Sequence, residues 1–459
     1  MKRIAIIGGG ISGLTAAFYL ERLKRGGAPL EYTLFEASPR LGGVIQTEHT
    51  SDFVIEAGPD SFLTAKPWAF ELARDAGIAD RLILSNDRKR KTYVLDRGEL
   101  IPIPDGMQMM VPTAVWPVIT SSLFSSKTKA RMMREYLSPP EPLLPDKDES
   151  VASFVSRHFG EEVVAKLAAP MLAGIYGGDA NTLSARAALP RLIAMEAEHR
   201  SLVRGTLRAI SQQNNAEPKP LFTSFRNGMQ QLVDAVVASI DPKSIRVGSP
   251  VESLRPTDAG WRLISVGNTE LFEKVILAAP AYIAAQLMSF DTALASQLGS
   301  IRYADSVTVS LVYLCEKLRR CTQLPQGFGF LVPRSEGKQI IACTFVQNKF
   351  DSRAGDDHFL VRAFLSSGLE RNDAQLIALV ESELSSILGI HVPTEFARVY
   401  RWAQAMPQYE VGHLEKVAQI DKAVKAHSGL HLIGNAYRGL GIPDCIREGK
   451  AAAARAAAN

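Results

Sequence analysis

Arg3-Ile4-Ala5-Ile6-Ile7 runs straight into Gly8-Gly9-Gly10-Ile11-Ser12-Gly13, and a helical pattern opens at once with Leu14, Ala17, Phe18 and Leu20. The first five residues are short, apolar and β-branched, as expected of a strand buried on both faces of a parallel sheet. The glycines have the spacing G-x-G-x-x-G with Gly8, Gly10 and Gly13 at the fixed positions. Gly8 permits the tight turn, Gly10 lets a pyrophosphate approach the backbone, and Gly13 lets the helix pack closely on the strand. Ile11 and Ser12 then open the helix, whose free N–H groups and positive dipole end suit phosphate oxygens.

A second strand pattern, Glu31 to Phe35, ends at Glu36, 36 − 13 = 23 residues beyond Gly13. About 20 residues is the usual distance to a carboxylate that accepts hydrogen bonds from a ribose. Such a carboxylate disfavours a 2′-phosphate, and with it NADP. Next comes Glu36-Ala37-Ser38-Pro39-Arg40-Leu41-Gly42-Gly43. This E-x-x-x-R-x-G-G pattern resembles the extended fingerprint of the FAD-containing amine-oxidase superfamily, which simple NAD dehydrogenases lack. Arg40 can bridge a pyrophosphate, and Gly42-Gly43 lets the chain pass close to the cofactor. The expected cofactor is therefore FAD.

Downstream segments fit the same cofactor. Gly434-Asn435-Ala436 and Gly441-Ile442-Pro443 precede an alanine-rich C-terminal helix, with Pro443 in the first turn. A helix N-terminus aimed at the flavin pyrimidine ring would stabilise negative charge on the reduced ring. The alanine tail from Ala451 is expected to be a plain surface helix. Arg246 to Val251 reads as a strand leading to the adenine, with Val251 giving a backbone contact, and Leu277 to Pro280 resembles a strand end closing the cofactor domain. Trp402, near a proline turn, is a further candidate cofactor contact or a core residue.

Three motifs narrow the resemblance. Glu56-Ala57-Gly58-Pro59-Asp60-Ser61-Phe62-Leu63, Gly174-Ile175-Tyr176-Gly177-Gly178-Asp179 with Leu183-Ser184 and Pro190, and Gly441-Ile442-Pro443-Asp444-Cys445-Ile446 resemble segments of bacterial protoporphyrinogen and coproporphyrinogen oxidases of the soluble type. Gly177 stands where that family usually has alanine. The resemblance implies six-electron oxidation of a porphyrinogen to the porphyrin in heme biosynthesis, in three flavin cycles, with O2 as acceptor and H2O2 as product. The flavin N5 takes the hydride, so no catalytic side chain is assigned. Gly58, Pro59, Asp60 and Ser61 are expected beside the flavin. Ile175 and Tyr176 are candidate walls of the substrate cavity, Lys66 a partner for a propionate, and Phe345 a ring stacked on the macrocycle. An amine oxidase, a carotenoid desaturase or a non-catalytic flavin- and porphyrin-binding protein are the alternatives. Ala436-Tyr437 and Leu440 offer at most one aromatic for an amine-oxidase cage.

Bulk properties bound the rest. The chain has 459 residues, 46% hydrophobic and 22% charged, and a net charge of +4. At about 100–200 residues per domain, two or three domains are expected. The charge is too balanced for a nucleic-acid partner. The four cysteines form no CxxC pair, and His427 and His431 lie four apart across Gly429, a poor metal spacing, so no metal is expected. None of the cysteines or histidines lies in a flavin-attachment motif, so the FAD is expected to be non-covalent. No leader or membrane span is apparent, which suggests a cytoplasmic enzyme, monomeric or homodimeric, with a peripheral membrane surface as a candidate contact.

The expected fold is α/β: a discontinuous Rossmann-like FAD-binding domain (1–85, 220–280, 425–459), an α+β substrate domain with an antiparallel sheet (86–104, 281–424), and a helical insert (105–219). The insert carries a basic amphipathic stretch, Thr128 to Tyr136, and a loop with Pro139, Pro140, Pro142 and Pro145. In the resembled family it lies over the substrate mouth. The run Arg88-Lys89-Arg90-Lys91 reads as a solvated face.

Overall fold

In a computed structural model that describes residues 1–50, 52–142, 147–213, 220–355 and 357–458, the opening apolar run forms strand β1 (Lys2–Ile7). Ile4, Ala5 and Ile6 are fully buried, as a strand with neighbours on both edges and both faces covered requires. Helix α1 (Ile11–Arg25) follows the glycine loop and leads to β2 (Leu30–Phe35). These begin a five-stranded sheet, in the order Ile245–Arg246, β2, β1, Lys274–Leu277 and Leu430–Leu432. Every pairing is parallel, with Ile7 opposite both Phe35 and Leu277. The strand ends thus bring the Gly8 turn, Glu36 and Ala278 to one edge of the sheet.

The sheet belongs to the first of two compact units, residues 1–85, 220–302 and 415–459. Its core joins β1, α1 and β2 to the C-terminal helix Ile442–Ala457. The alanine tail differs from the expected surface helix: Ala452, Ala453 and Ala456 are fully buried. Small side chains let this helix lie close against α1, and a Cβ at Gly449 would stand 2.5 Å from the Ser12 carbonyl oxygen.

The second unit holds residues 86–219 and 303–414. Its seven strands run in the order Phe396–Pro407, Tyr303–Leu314, His358–Leu365, Ile340–Phe345, Gly329–Leu331, Thr92–Asp96 and Glu99–Pro102. The sheet is not wholly antiparallel: Gly329–Leu331 pairs with Thr92–Asp96 in parallel. That junction joins two distant parts of the chain, which need not reverse direction as a hairpin must. The helical segment that was expected to stand apart shares this unit with the sheet, whereas 281–302 and 415–424, expected in the substrate domain, belong to the first unit. Its helices surround a separate apolar cluster that includes Val118, Met132, Phe154, Phe159 and Leu172. Pro145, the boundary at 219 and Asn459 lie outside the described residues.

Candidate active site

The glycine loop shows which of its residues are small for the protein's sake. A Cβ on Gly13 would stand 1.9 Å from the Gly8 carbonyl oxygen, and one on Gly8 2.8 Å from the Ala278 oxygen. Gly9 is enclosed as well, by Leu41 and Glu36 at 2.6 and 3.0 Å. Gly10 is different: a Cβ there would meet no described heavy atom within 4 Å. Its backbone is ordinary extended chain, φ −72°, so neither folding nor packing calls for glycine. Gly10 caps α1; among the described residues no side chain bonds to that cap and no acid lies in the first turn. An uncapped helix end with bare space beside it is suited to an anion.

Glu36 sits at the end of β2 beside this loop. One carboxylate oxygen accepts the Gly9 N–H at 2.6 Å and the other the Ser38 N–H at 2.8 Å. It therefore shapes the loop in addition to any ribose contact. Arg40 is turned inward: its guanidinium donates to the Leu41 and Ile45 carbonyls at 3.0 and 2.9 Å and also to that of Gly43. Burial pushes its pKa down, opposed by the Glu36 charge. The chain after Arg40 turns back through Gly42 and Gly43, both at positive φ, and Gly42 donates to the Gly9 carbonyl.

The segment expected as one strand, Arg246 to Val251, divides. Only Ile245–Arg246 pairs with β2, a turn follows at Gly248 (φ +60°), and Val251 starts another strand opposite Ser265. The turn is tied to the same corner, because Gly248 and Ser249 donate to the Ser38 and Glu36 carbonyls. Gly58 passes under Val44, where a Cβ would meet the carbonyl oxygen at 1.8 Å. Asp60 accepts from Ser61 Oγ at 2.7 Å, and its carbonyl accepts from Ser224 Oγ. Gly434 follows the last parallel strand at φ +127°.

Gly441 caps the C-terminal helix, with Ile442 and Pro443 in its first turn. The signal that sequence reading missed lies one residue further. Asp444 is buried, and its carboxylate pairs with Lys66 and, at 3.4 Å, with Arg447. Lys66 is therefore not a free surface charge. The i,i+3 relation of Asp444 and Arg447 was legible; the partner 378 residues away was not.

Ile175 and Tyr176 end a helix of the second unit, Ala169–Tyr176, closed by Gly177 at φ +60°. Ile175 is 51% exposed. Tyr176 donates to the Ala188 carbonyl at 3.3 Å, and its own carbonyl accepts from Gln408 at 2.8 Å. Before this helix the backbone makes a π-helical turn, Val164–Ala168. Pro170 lacks the N–H that would bond to Lys166, and the ladder is displaced there. Trp402 is half-buried on Phe396–Pro407, opposite Ser306. Phe345 does not face a cavity: it is fully buried, with its ring 6.0 Å from Phe330 and 5.5 Å from Phe359. Strand alternation gives the other face of Ile340–Phe345 to Ala342 and Thr344, and Gly174 packs near Ala342.

A buried polar cluster in the helical segment also escaped the sequence. The His158 imidazole, wholly buried, lies between Glu135 at 3.0 Å and Glu196 at 2.9 Å. Glu135 also accepts from Ser201 Oγ and the Leu202 and Val203 N–H groups at the start of helix Leu202–Gln213. Arg157 pairs with Glu196 and Glu149. Burial opposes charge on His158, Glu135 and Glu196. The hydrogen bonds and opposite charges outweigh it, raising the His158 pKa and lowering those of Glu135 and Glu196.

A profile of the flavin-containing amine oxidoreductases matches residues 11–457. The chain belongs to this family. It is 34% identical to the Coproporphyrinogen III oxidase of Bacillus subtilis, covering 98% of this chain and 97% of that protein. It is 28% identical to the chloroplastic Protoporphyrinogen oxidase 1 of Arabidopsis thaliana, with 96% and 85% covered. A crystal structure from an Exiguobacterium strain, provisionally assigned as a protoporphyrinogen oxidase, superposes with a TM-score of 0.87 at 29% identity, over 99% of this chain and 98% of that one. A putrescine oxidase structure shares the fold, with a TM-score of 0.70 at 17% identity over 99% of both chains. Membership makes the protein an oxidoreductase with a flavin cofactor. The space at Gly10, the open end of α1 and the Glu36 carboxylate fit a flavin that carries a dinucleotide. Among the described residues no cluster is placed to hold a metal, and no helix is long and apolar enough to cross a membrane.

Proposed function

We propose that this protein binds FAD without a covalent bond and oxidises a porphyrinogen, coproporphyrinogen III or protoporphyrinogen IX, to the porphyrin, with O2 as acceptor. The full-length likeness to proteins named for coproporphyrinogen oxidation carries the reading. The glycine loop supports its cofactor half. Removing six electrons and six protons consumes three O2 and releases three H2O2. FAD supplies the electron sink. The α1 N-terminus, with Gly8 to Gly13, Gly42 and Gly43, would hold the pyrophosphate, and Glu36 the ribose. Val251 and Trp402 are proposed as further cofactor contacts. Burial pushes the Cys445 thiol, one residue from Asp444, up to about 11. It stays protonated at neutral pH and unreactive towards attachment.

Ile175 and Tyr176 are proposed to wall the substrate site. Lys66 has three N–H donors, and those not spent on Asp444 suit a propionate. A cytoplasmic location with a peripheral membrane contact is the accompanying proposal. Val115, Trp116, Tyr136 and Leu137 expose 44–74% of their surface in the helical segment, which also carries Lys127 and Lys129.

The test follows porphyrin fluorescence and peroxide together when purified, yellow protein meets each porphyrinogen in air. Three peroxides per porphyrin and a kcat/KM for one or both substrates are expected. Flavin-loaded protein that gives neither porphyrin nor peroxide above the uncatalysed rate would remove the reading. Flavin left on the acid-precipitated pellet would remove its non-covalent part.

A further inference from the structure

Lys66 and Arg447 grip Asp444 in the first turn of the C-terminal helix, and this is the one acid of that turn. The carboxylate is packed beneath the preceding backbone turn. A Cβ at Gly439 (φ +133°) would stand 2.5 Å from its Cγ, and one at Gly441 3.2 Å from its Oδ2. An acid at this position commonly returns to the helix cap and adds negative charge to the N-terminus. Here it is buried, 4% exposed, between an ammonium from the Gly58–Lys66 segment and a guanidinium from its own helix. Arg447 is shared with Glu448 at 3.2 Å, which also faces Arg438 at 3.5 Å. Lys66 has Asp444 as its ion-pair partner among the described residues. The net effect of Lys66 at this helix end is therefore to cancel the Asp444 charge.

We infer that Lys66 is a positioning residue for the flavin: by neutralising Asp444 it keeps the C-terminal helix end electropositive, and so favours the reduced, negatively charged ring. The inference rests on the proposed flavin binding and on the sequence-based expectation that the N-terminus of this helix faces the flavin pyrimidine ring. Its sign is fixed by charge. An unmatched Asp444 opposes electron uptake, and an unmatched Lys66 assists it.

The test is a charge cycle on the purified holoenzyme, read as the reduction equilibrium of bound flavin against a reference dye under anaerobic conditions. Lys66→Met should shift that equilibrium towards the oxidised form by roughly tenfold, which is ~30 mV for a two-electron couple. Asp444→Asn should shift it the opposite way. The double variant and Lys66→Arg should lie within about twofold of the wild type. A Lys66→Met protein that keeps its flavin with an unmoved equilibrium would overturn the inference. So would a double variant that matches Lys66→Met. Should Lys66→Met lose its flavin, the direction of the Asp444→Asn shift decides. Because no porphyrinogen is present, the outcome is separate from the substrate reading, which fails on fluorescence and peroxide alone.

Discussion

Two glycine-rich stretches, Gly8–Gly13 and Gly174–Gly178, have opposite origins. In the first, backbone oxygens and neighbouring side chains crowd three of the four glycines, and Gly10 alone opens on empty space. In the second, Gly174 would meet Ala342 at an ordinary 3.8 Å, and Gly178 would meet the end of the Gln408 side chain. In the first stretch Gly8 and Gly13 are set by main chain, and Gly9 by the side chains of Leu41 and Glu36. In the second only Gly177, the helix cap at φ +60°, is set by its backbone, while Gly174 and Gly178 depend on the side chains around them. A site built from backbone is specified by its own local sequence, whereas a site built from side chains is specified by distant elements.

The comparison breaks most readily at His158. Removing a buried charged partner costs about 3–5 kcal/mol. His158→Ala should therefore lower Tm by roughly 6–20 °C, at 2–4 °C per kcal/mol for a unit of this size. Its flavin content should hold at a temperature where the variant remains folded. The pH dependence has a definite sign. The raised His158 pKa contributes stability that is complete below 6.5 and fades as pH rises through its folded value. The lowered Glu135 and Glu196 values contribute stability present above 4.5 that is lost as pH falls through theirs. In melting curves across pH, the gap between wild type and His158→Ala should be widest between those limits. A gap that grows steadily into alkali would refute the charged cluster.

Glu36→Ala tests the backbone-built side. Its carboxylate loses charge-assisted hydrogen bonds worth ~1.5–3 kcal/mol, a roughly 10- to 150-fold fall in flavin affinity. Fluorescence titration of the apoprotein with FAD measures it, and unchanged affinity in a folded variant would detach Glu36 from the site.

Gly10→Ala sharpens the contrast within one loop. The apoprotein should melt within ~0.5 kcal/mol of wild type, because the new methyl meets no protein atom. Overpacking against a bound pyrophosphate should still cost ~1–3 kcal/mol, or about 5- to 150-fold in affinity. Equal affinities would place the phosphates elsewhere. Ile175→Ala should have the smallest effect on folding, within ~0.5 kcal/mol, since half the side chain is already in water. A rise in KM for the porphyrinogen with kcat unchanged is the expected signature of a wall residue. An unchanged KM would return Ile175 to the surface.

Legibility followed the same division. The strand from Arg3, the glycine turn, α1 and the register of Glu36 were all readable, because each is a short local pattern with a steric cause. The fate of Phe345 was not: an aromatic on an alternating strand can face a core or a ligand, and the rings of Phe330 and Phe359 decide it. The alanines after Ala451 carry no polarity signal, and it is packing against α1 and its neighbours that makes them core. Lys66 was read as a candidate propionate partner, and its carboxylate partner Asp444 lies at the other end of the sequence, where no local pattern reveals it. The Glu135, His158 and Glu196 cluster is spread over three helices, and no spacing rule joins them.

The order of strands in the parallel sheet has a consequence for biosynthesis. β2 ends at residue 35, whereas the strand that completes the far edge begins at residue 430. At about 5–20 residues per second, a ribosome needs roughly 20–80 s to travel between them. Until Ile245–Arg246 and Lys274–Leu277 emerge within that interval, the outer edges of β1 and β2 carry unpaired amides in reach of other nascent chains, and Lys274–Leu277 then waits for Leu430–Leu432. Both long segments of the second unit emerge meanwhile. The parallel sheet, begun first in the sequence, is thus among the last parts of the protein to be completed.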